Sequence, residues 1–184
     1  MTTSIFAHEA LVKETKVSGP CLDDMAETIR ADALTLAREK LGLPQHGSNL
    51  VSLLRQPGFD YFKYGLAMGV SNALAANDPN VQAIYAYDPS TNADSETEEE
   101  ITPDATVHLL VQVTMPSAAL QAFIASLDRA LLASLKDLPS PRFAQRESVL
   151  NVNLITEDDI RHGANFAGLL SGVFAPPLKI WQRA

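Results

Sequence analysis

Hydrophobic positions along the chain repeat first with a helical period and then with a strand period. Leu22, Met25, Ala26, Ile29, Ala33, Leu36 and Ala37 keep to one face of a helix over residues 22–41. Pro20 precedes that run, and Gly42 and Pro44 in "LGLPQHG" stop it. A short helical turn is predicted over 50–54, closed by Pro57. The next helix, 59–76, carries Phe59, Phe62, Leu66, Val70, Ala73 and Leu74 as its apolar stripe. Gly65 and Gly69 flank the stripe, each costing about 1 kcal/mol of helix propensity relative to Ala. Close packing on a sheet would account for them.

After the turn "NDPN" the period becomes two. In "VQAIYAY", Val81, Ala83, Tyr85 and Tyr87 are expected on one face, Ile84 and Ala86 on the other. In 106–114, Val107, Leu109, Val111 and Val113 oppose Thr106, His108, Leu110 and Gln112. Ser117 behind Pro116 then caps the clearest helix, striped by Leu120, Phe123, Ile124, Leu127, Leu131 and Leu135. "LPSPRF" reads as a loop, and 149–156 as a third strand. Thr156 with Asp159 three residues on begins a helix expected to run to about Ser171, followed by a short extended tail, "PPLKIW". Residues 1–19 show no sustained period and are expected to form an arm or a short helix. The order implies an α+β fold, a small mixed sheet with helices packed on it. A chain of 184 residues fits a single domain: an N-terminal helical extension (1–57) and an α+β core (58–184).

Charge narrows the function. The net charge is −8, and no Lys or Arg occurs between Lys63 and Arg129. That span holds Asp78, Asp88, Asp94, Glu96, Glu98, Glu99, Glu100, Asp104 and Asp128. Such a field repels nucleic acid and discourages triphosphates. The connection from Asp88 to Ala105 is long, polar and acidic, so mobility is expected there. Its acids lack the glycine turn and alternating ligands of a calcium loop. No run suggests a membrane span or a signal peptide. The single cysteine, Cys21, excludes an internal disulfide and a thiolate zinc site, and a cytoplasmic setting is expected. His8, His46, His108 and His162 lack metal-ligand spacing. Gly47-Ser48 imitates a phosphate turn in letters, but no strand precedes it.

Two pairs of polar residues on strands stand out. Thr106 and His108 share one face of their strand, and Asn151 and Asn153 share one face of theirs, although Asn is depleted in strands. From about Tyr61 to Trp181 the run of elements resembles the minimal nucleotidyltransferase fold of the kanamycin nucleotidyltransferase type. "NVQAIYAYDPS" stands where that family has its first strand and Gly-Ser turn. "TVHLLVQVTMPSAALQAFIASL" stands where it has the Asp-x-Asp strand and long helix, and "VLNVNLITEDDI" where it has the third strand. The resemblance implies a phosphate turn where this chain reads "YDPS", with Asp88 and Pro89. It implies metal-binding carboxylates at Thr106, His108 and Asn151 or Asn153, none of which is acidic. Without carboxylates a catalytic magnesium has no hard ligands.

The expected function is therefore that of a non-catalytic, nucleotidyltransferase-like domain that binds a protein, including a copy of itself. Tyr85, Tyr87, Phe174 and Trp181 are the candidate exposed anchors. The alternative is a small-molecule- or nucleotide-binding protein, or a divergent transferase, with a pocket near His108, Asn151 and Asn153. Tyr87, Asp88, Thr106, His108, Asn151 and Asn153 are the candidate site residues. No metal or cofactor is expected.

Overall fold

A computed structural model describes residues 21–45, 49–89, 105–172 and 176–184. The expectations for the arm at 1–19, for His8, His46 and Gly47-Ser48, for the acidic run at 94–100 and for Phe174 lie outside those residues. The element order is α1 (Leu22–Lys40), α2 (Leu50–Leu53), α3 (Gly58–Asn77), β1 (Val81–Tyr87), β2 (Val107–Val113), α4 (Ala118–Lys136), α5 (Pro141–Ala144), β3 (Leu150–Ile155), α6 (Glu157–His162), a 3-10 helix (Asn165–Ser171) and β4 (Leu178–Gln182). The fold is α+β, as the periodicity predicts.

The sheet has the order β3-β2-β1-β4. β1 is antiparallel to both β2 and β4, and β3 runs parallel to β2 through the crossover of α4. The main core lies on one face. Val107, Leu109, Val111 and Val113 of β2 meet Leu66, Val70 and Leu74 of α3 and Leu120, Leu127 and Leu131 of α4 within one buried cluster. Ala26, Ile29, Ala33 and Ala37 of α1 belong to the same cluster, so the helices before residue 58 share the core of those after it. Among the described residues α4 is long and apolar enough to cross a membrane by length and composition. Its leucine stripe is buried in the core of this domain instead.

The glycines of α3 meet a helix, not the sheet. A Cβ on Gly65 would lie 2.7 Å from Cα of Ala33, and one on Gly69 2.8 Å from Cγ2 of Ile29. Their missing side chains let α1 and α3 approach closely. The "LPSPRF" segment is not wholly loop either. Pro141 opens α5, whose Phe143 packs its ring 6.2 Å from Phe59 and 6.3 Å from Phe62.

Two backbone features redirect the strand pattern. The register moves from Val81↔Val113 to Ala83↔Gln112, so Gln82 is bulged. Val81 therefore shares the main core with Ile84, and not the face of Tyr85 and Tyr87 that strict alternation predicts. The helix expected to reach Ser171 ends at Gly163, whose φ of 59° is left-handed, and the chain resumes as a 3-10 helix. Leu110, Ile155 and Ala167, with Tyr85, Tyr87, Ile160, Leu169 and Leu170 around them, form a small second cluster beneath that helix.

Asp78, 6% exposed, ties the start of the sheet to α4. Its carboxylate accepts from the Asn80 amide at 2.8 Å and from the Ser117 hydroxyl at 3.2 Å. Ser117 in turn caps Leu120 at 3.0 Å. Just beyond β4, Arg183 donates through Nε to the Val81 carbonyl at 2.9 Å.

Gly65→Ala gains helix propensity but must push the Ala33 backbone away, so a net loss within the range of about 1 to 3 kcal/mol is expected. Gly69→Ala meets a movable isoleucine methyl and should cost less. Urea melts of both variants measure the difference; a stabilised Gly65→Ala would show that α1 and α3 separate freely.

Candidate functional site

Three strands carry polar side chains into one row. Tyr87 pairs with His108 across β1 and β2, and His108 with Asn151 across β2 and β3. Leu109 and Val111 point into the main core, so this row lies on the opposite face, with Leu110 and its small cluster. Two residues along β3, Asn153 pairs with Leu110 on the same face.

Burial dictates what these side chains must do. His108 is 8% exposed, and a polar ring held that far from water requires hydrogen bonds. The Asn151 amide nitrogen lies 3.1 Å from His108 Nδ1. The Asn151 side-chain oxygen accepts from Asn153 Nδ2 at 3.2 Å, and the same Nδ2 donates to the Tyr87 hydroxyl at 3.1 Å. With its oxygen engaged, Asn151 offers His108 an N–H. Nδ1 is then the acceptor in that pair. The Tyr87 and His108 rings lie 5.3 Å apart, tilted by 53°. Burial pushes the Tyr87 hydroxyl above its ordinary pKa, partly opposed by the Asn153 hydrogen bond. Tyr87 therefore keeps its proton at neutral pH and can act as a donor.

Between this row and the 3-10 helix lies a cleft of about 440 Å³. Tyr87, His108 and Asn151 line one side; Asn165, Phe166 and Leu169 line the other. No charged side chain lines it among the described residues. The roof is held by a chain of polar contacts. Thr156 caps α6 in a reciprocal box with Asp159, whose Oδ2 accepts from the Thr156 amide at 2.8 Å. The other Asp159 oxygen accepts from Asn165 Nδ2 at 3.0 Å. Asn165 sits at a φ of 52°, a left-handed conformation that asparagine tolerates better than most residues. Phe166, next to it, is 47% exposed at the cleft.

Of the six candidate residues, Tyr87, His108, Asn151 and Asn153 come together in one hydrogen-bonded network. Thr106 is tied to Arg146, whose Nη1 donates to the threonine hydroxyl at 3.0 Å. Asp88 is exposed just beyond β1. Asn165 and Phe166 escaped sequence reading because a continuous helix was expected there. The signal was local: a glycine, then an asparagine, at positions where the chain turns left-handed. Three proposed aromatic anchors are less open than expected. Tyr85 and Tyr87 are half-buried in the second cluster, and Trp181 is half-buried against the main core. No cluster of three or more potential metal ligands occurs among the described residues. No family model, curated protein or solved structure matches the chain.

Two measurements probe this arrangement. In a double-mutant cycle of His108→Thr and Asn151→Ala, each change should cost about 1 kcal/mol, with coupling of at least about 0.5 kcal/mol; additive losses would mean that water replaces the amide. The roof responds to pH. Hydrogen bonds from Thr156 hold the Asp159 carboxyl below its ordinary range, so its stabilising effect is present above the unfolded pKa and fades as pH falls through the lower folded value. The stability gap between the native chain and Asp159→Asn should narrow on acidification, as followed by urea melts from neutral to acidic pH.

Proposed function

We propose that this chain is a non-catalytic binding domain whose cleft takes a small, flat, uncharged molecule. The observation that carries the proposal is the Tyr87–His108–Asn151 row, joined through Asn153 and facing a cleft with no charged side chain among its described lining residues. The Tyr87, His108 and Phe166 rings give a planar ligand apolar faces to lie against. Tyr87 and the amides of Asn151 and Asn165 supply a few directional polar contacts, which is how small-molecule sites fix orientation. A heteroaromatic ring with both donors and acceptors fits that lining.

The nucleotidyltransferase-like reading belongs to the same proposal. The order α3-β1-β2-α4-β3 supports it, and under it Thr106, His108 and either Asn151 or Asn153 occupy the carboxylate positions. A histidine and two amides give magnesium no anionic oxygens, and the span from 64 to 128 has no cation for a triphosphate. Binding in place of phosphoryl transfer follows from that chemistry. A cytoplasmic setting is part of the reading, on the single cysteine, Cys21.

Thermal-shift measurements test the proposal. Neutral heteroaromatic compounds from a fragment collection should raise the melting temperature of the native chain. The rise should shrink in Tyr87→Phe and His108→Thr. ATP with magnesium should leave it unchanged. A magnesium-dependent shift with ATP, or fragment binding indifferent to both substitutions, would overturn the reading.

A further inference from the structure

Further along the face that carries the Tyr87–His108–Asn151 row lies a second hollow, of about 400 Å³. The register places its floor. Gln112 of β2, Ala83 of β1 and Gln182 of β4 stand abreast, and Leu110, Tyr85 and Lys179 stand abreast in the next row. Ala83 is the small residue of its row, 4% exposed between two long amides. Glu157 and Lys179 line the same hollow.

Each side holds one charge against one amide. Gln112 Nε2 donates to Glu157 Oε2 at 3.3 Å, and Lys179 Nζ donates to Gln182 Oε1 at 3.1 Å. A carboxylate only accepts and an ammonium only donates, so the charges decide which way the amides point. The β2 side therefore offers acceptors, the Glu157 carboxylate and Gln112 Oε1. The β4 side offers donors, Lys179 and Gln182 Nε2. The Lys179 nitrogen also lies 5.5 Å from the centre of the Tyr85 ring, whose face favours a cation. Arg183 adds a second cation to that side, with its Nε spent on the Val81 carbonyl.

The opposite charges share the hollow without meeting. Among the described residues Glu157 touches Gln112 and, at 3.7 Å, Arg161 of its own helix. Lys179 touches Gln182 and the Tyr85 ring. Their amide partners stand two strand spacings apart, about 10 Å between backbones. A gap with an anion on one wall and a cation on the other is complementary to a molecule with the reverse polarity.

We propose that this hollow binds a short zwitterion of dipeptide length. Its ammonium lies at Glu157 and Gln112, and its carboxylate at Lys179 and Gln182. An extended residue spans about 3.5 Å, so two residues reach most of the way between the walls, where a single α-amino acid leaves one charge unmatched. The reverse orientation would set like charge against like at both walls. The hollow shares no lining residue with the cleft at Tyr87, so the two proposals fail independently.

Titration of the full chain with glycylglycine, followed by amide chemical shifts, tests it. Saturable shifts are expected at Ala83, Gln112 and Gln182. N-acetylglycylglycine lacks the ammonium and glycylglycine amide lacks the carboxylate, and each should bind about fivefold more weakly. Glu157→Gln should lose the first difference and keep the second; Lys179→Gln should do the reverse. Both side chains are exposed, so neither change disturbs the core. The net charge of −8 acts on every probe in native and variant chains alike, so the comparison isolates the local charge. Absence of saturable shifts, equal affinity of the native chain for all three compounds, or preferences that survive the substitutions would overturn the proposal.

Discussion

β2 is covered on both faces, and the rest of the fold answers to that. Six of its seven residues are buried, so neither side of this central strand is left to water. On one side the answer is conventional: three long helices close over a row of branched side chains. On the other side the covering is thin, a short helix and one stretch of 3-10 helix over a small cluster. His108 belongs to the thinly covered side. A histidine interior to a doubly buried strand must be hydrogen-bonded; Asn151 of β3 supplies a bond at Nδ1, and Tyr87 of β1 lays its ring beside the imidazole.

That requirement links stability to chemistry. The asparagines of β3 weaken a strand by propensity yet engage the histidine at Nδ1 and donate to the tyrosine oxygen. The hydrogen bonds that join Tyr87, His108, Asn151 and Asn153 to one another involve no carboxylate, so these four side chains offer a divalent ion no anionic oxygen. Their ring faces and fixed dipoles are suited to holding a molecule in place. The roof that completes the cleft is itself fastened by a carboxylate, but Asp159 is spent on Thr156 and Asn165. It shapes the cavity without entering it.

The elements were legible in the sequence because each long one had a single unbroken period. α1, α3 and α4 followed from their apolar stripes, and the capping box at Thr156 marked the start of α6 to the residue. The polar face of β2 and the pairing of His108 with an asparagine followed from alternation. What escaped depended on a single residue out of pattern. Gln82 bulges and turns Val81 into the core, a shift that strict alternation cannot foresee. Gly163 ends a helix whose apolar pattern invites continuation, and the cleft's second wall exists only because it does. Gly65 was marked as a close approach, but the partner was Ala33 of another helix, information that one helix's own period does not contain.

Among the described strands, the first to be synthesised, β1, is paired on its outer side by the last, β4. β1 gains its inner neighbour soon, but its other edge waits for β4, and the Arg183 contact to Val81 waits as well. Until then the nascent chain presents an unpaired strand edge beside helices that are already able to pack. Non-local closure of this kind slows folding and prolongs exposure of the edge. Completion of the sheet thus waits for the last described strand, and it is during that interval that a chaperone would find the edge of β1 open.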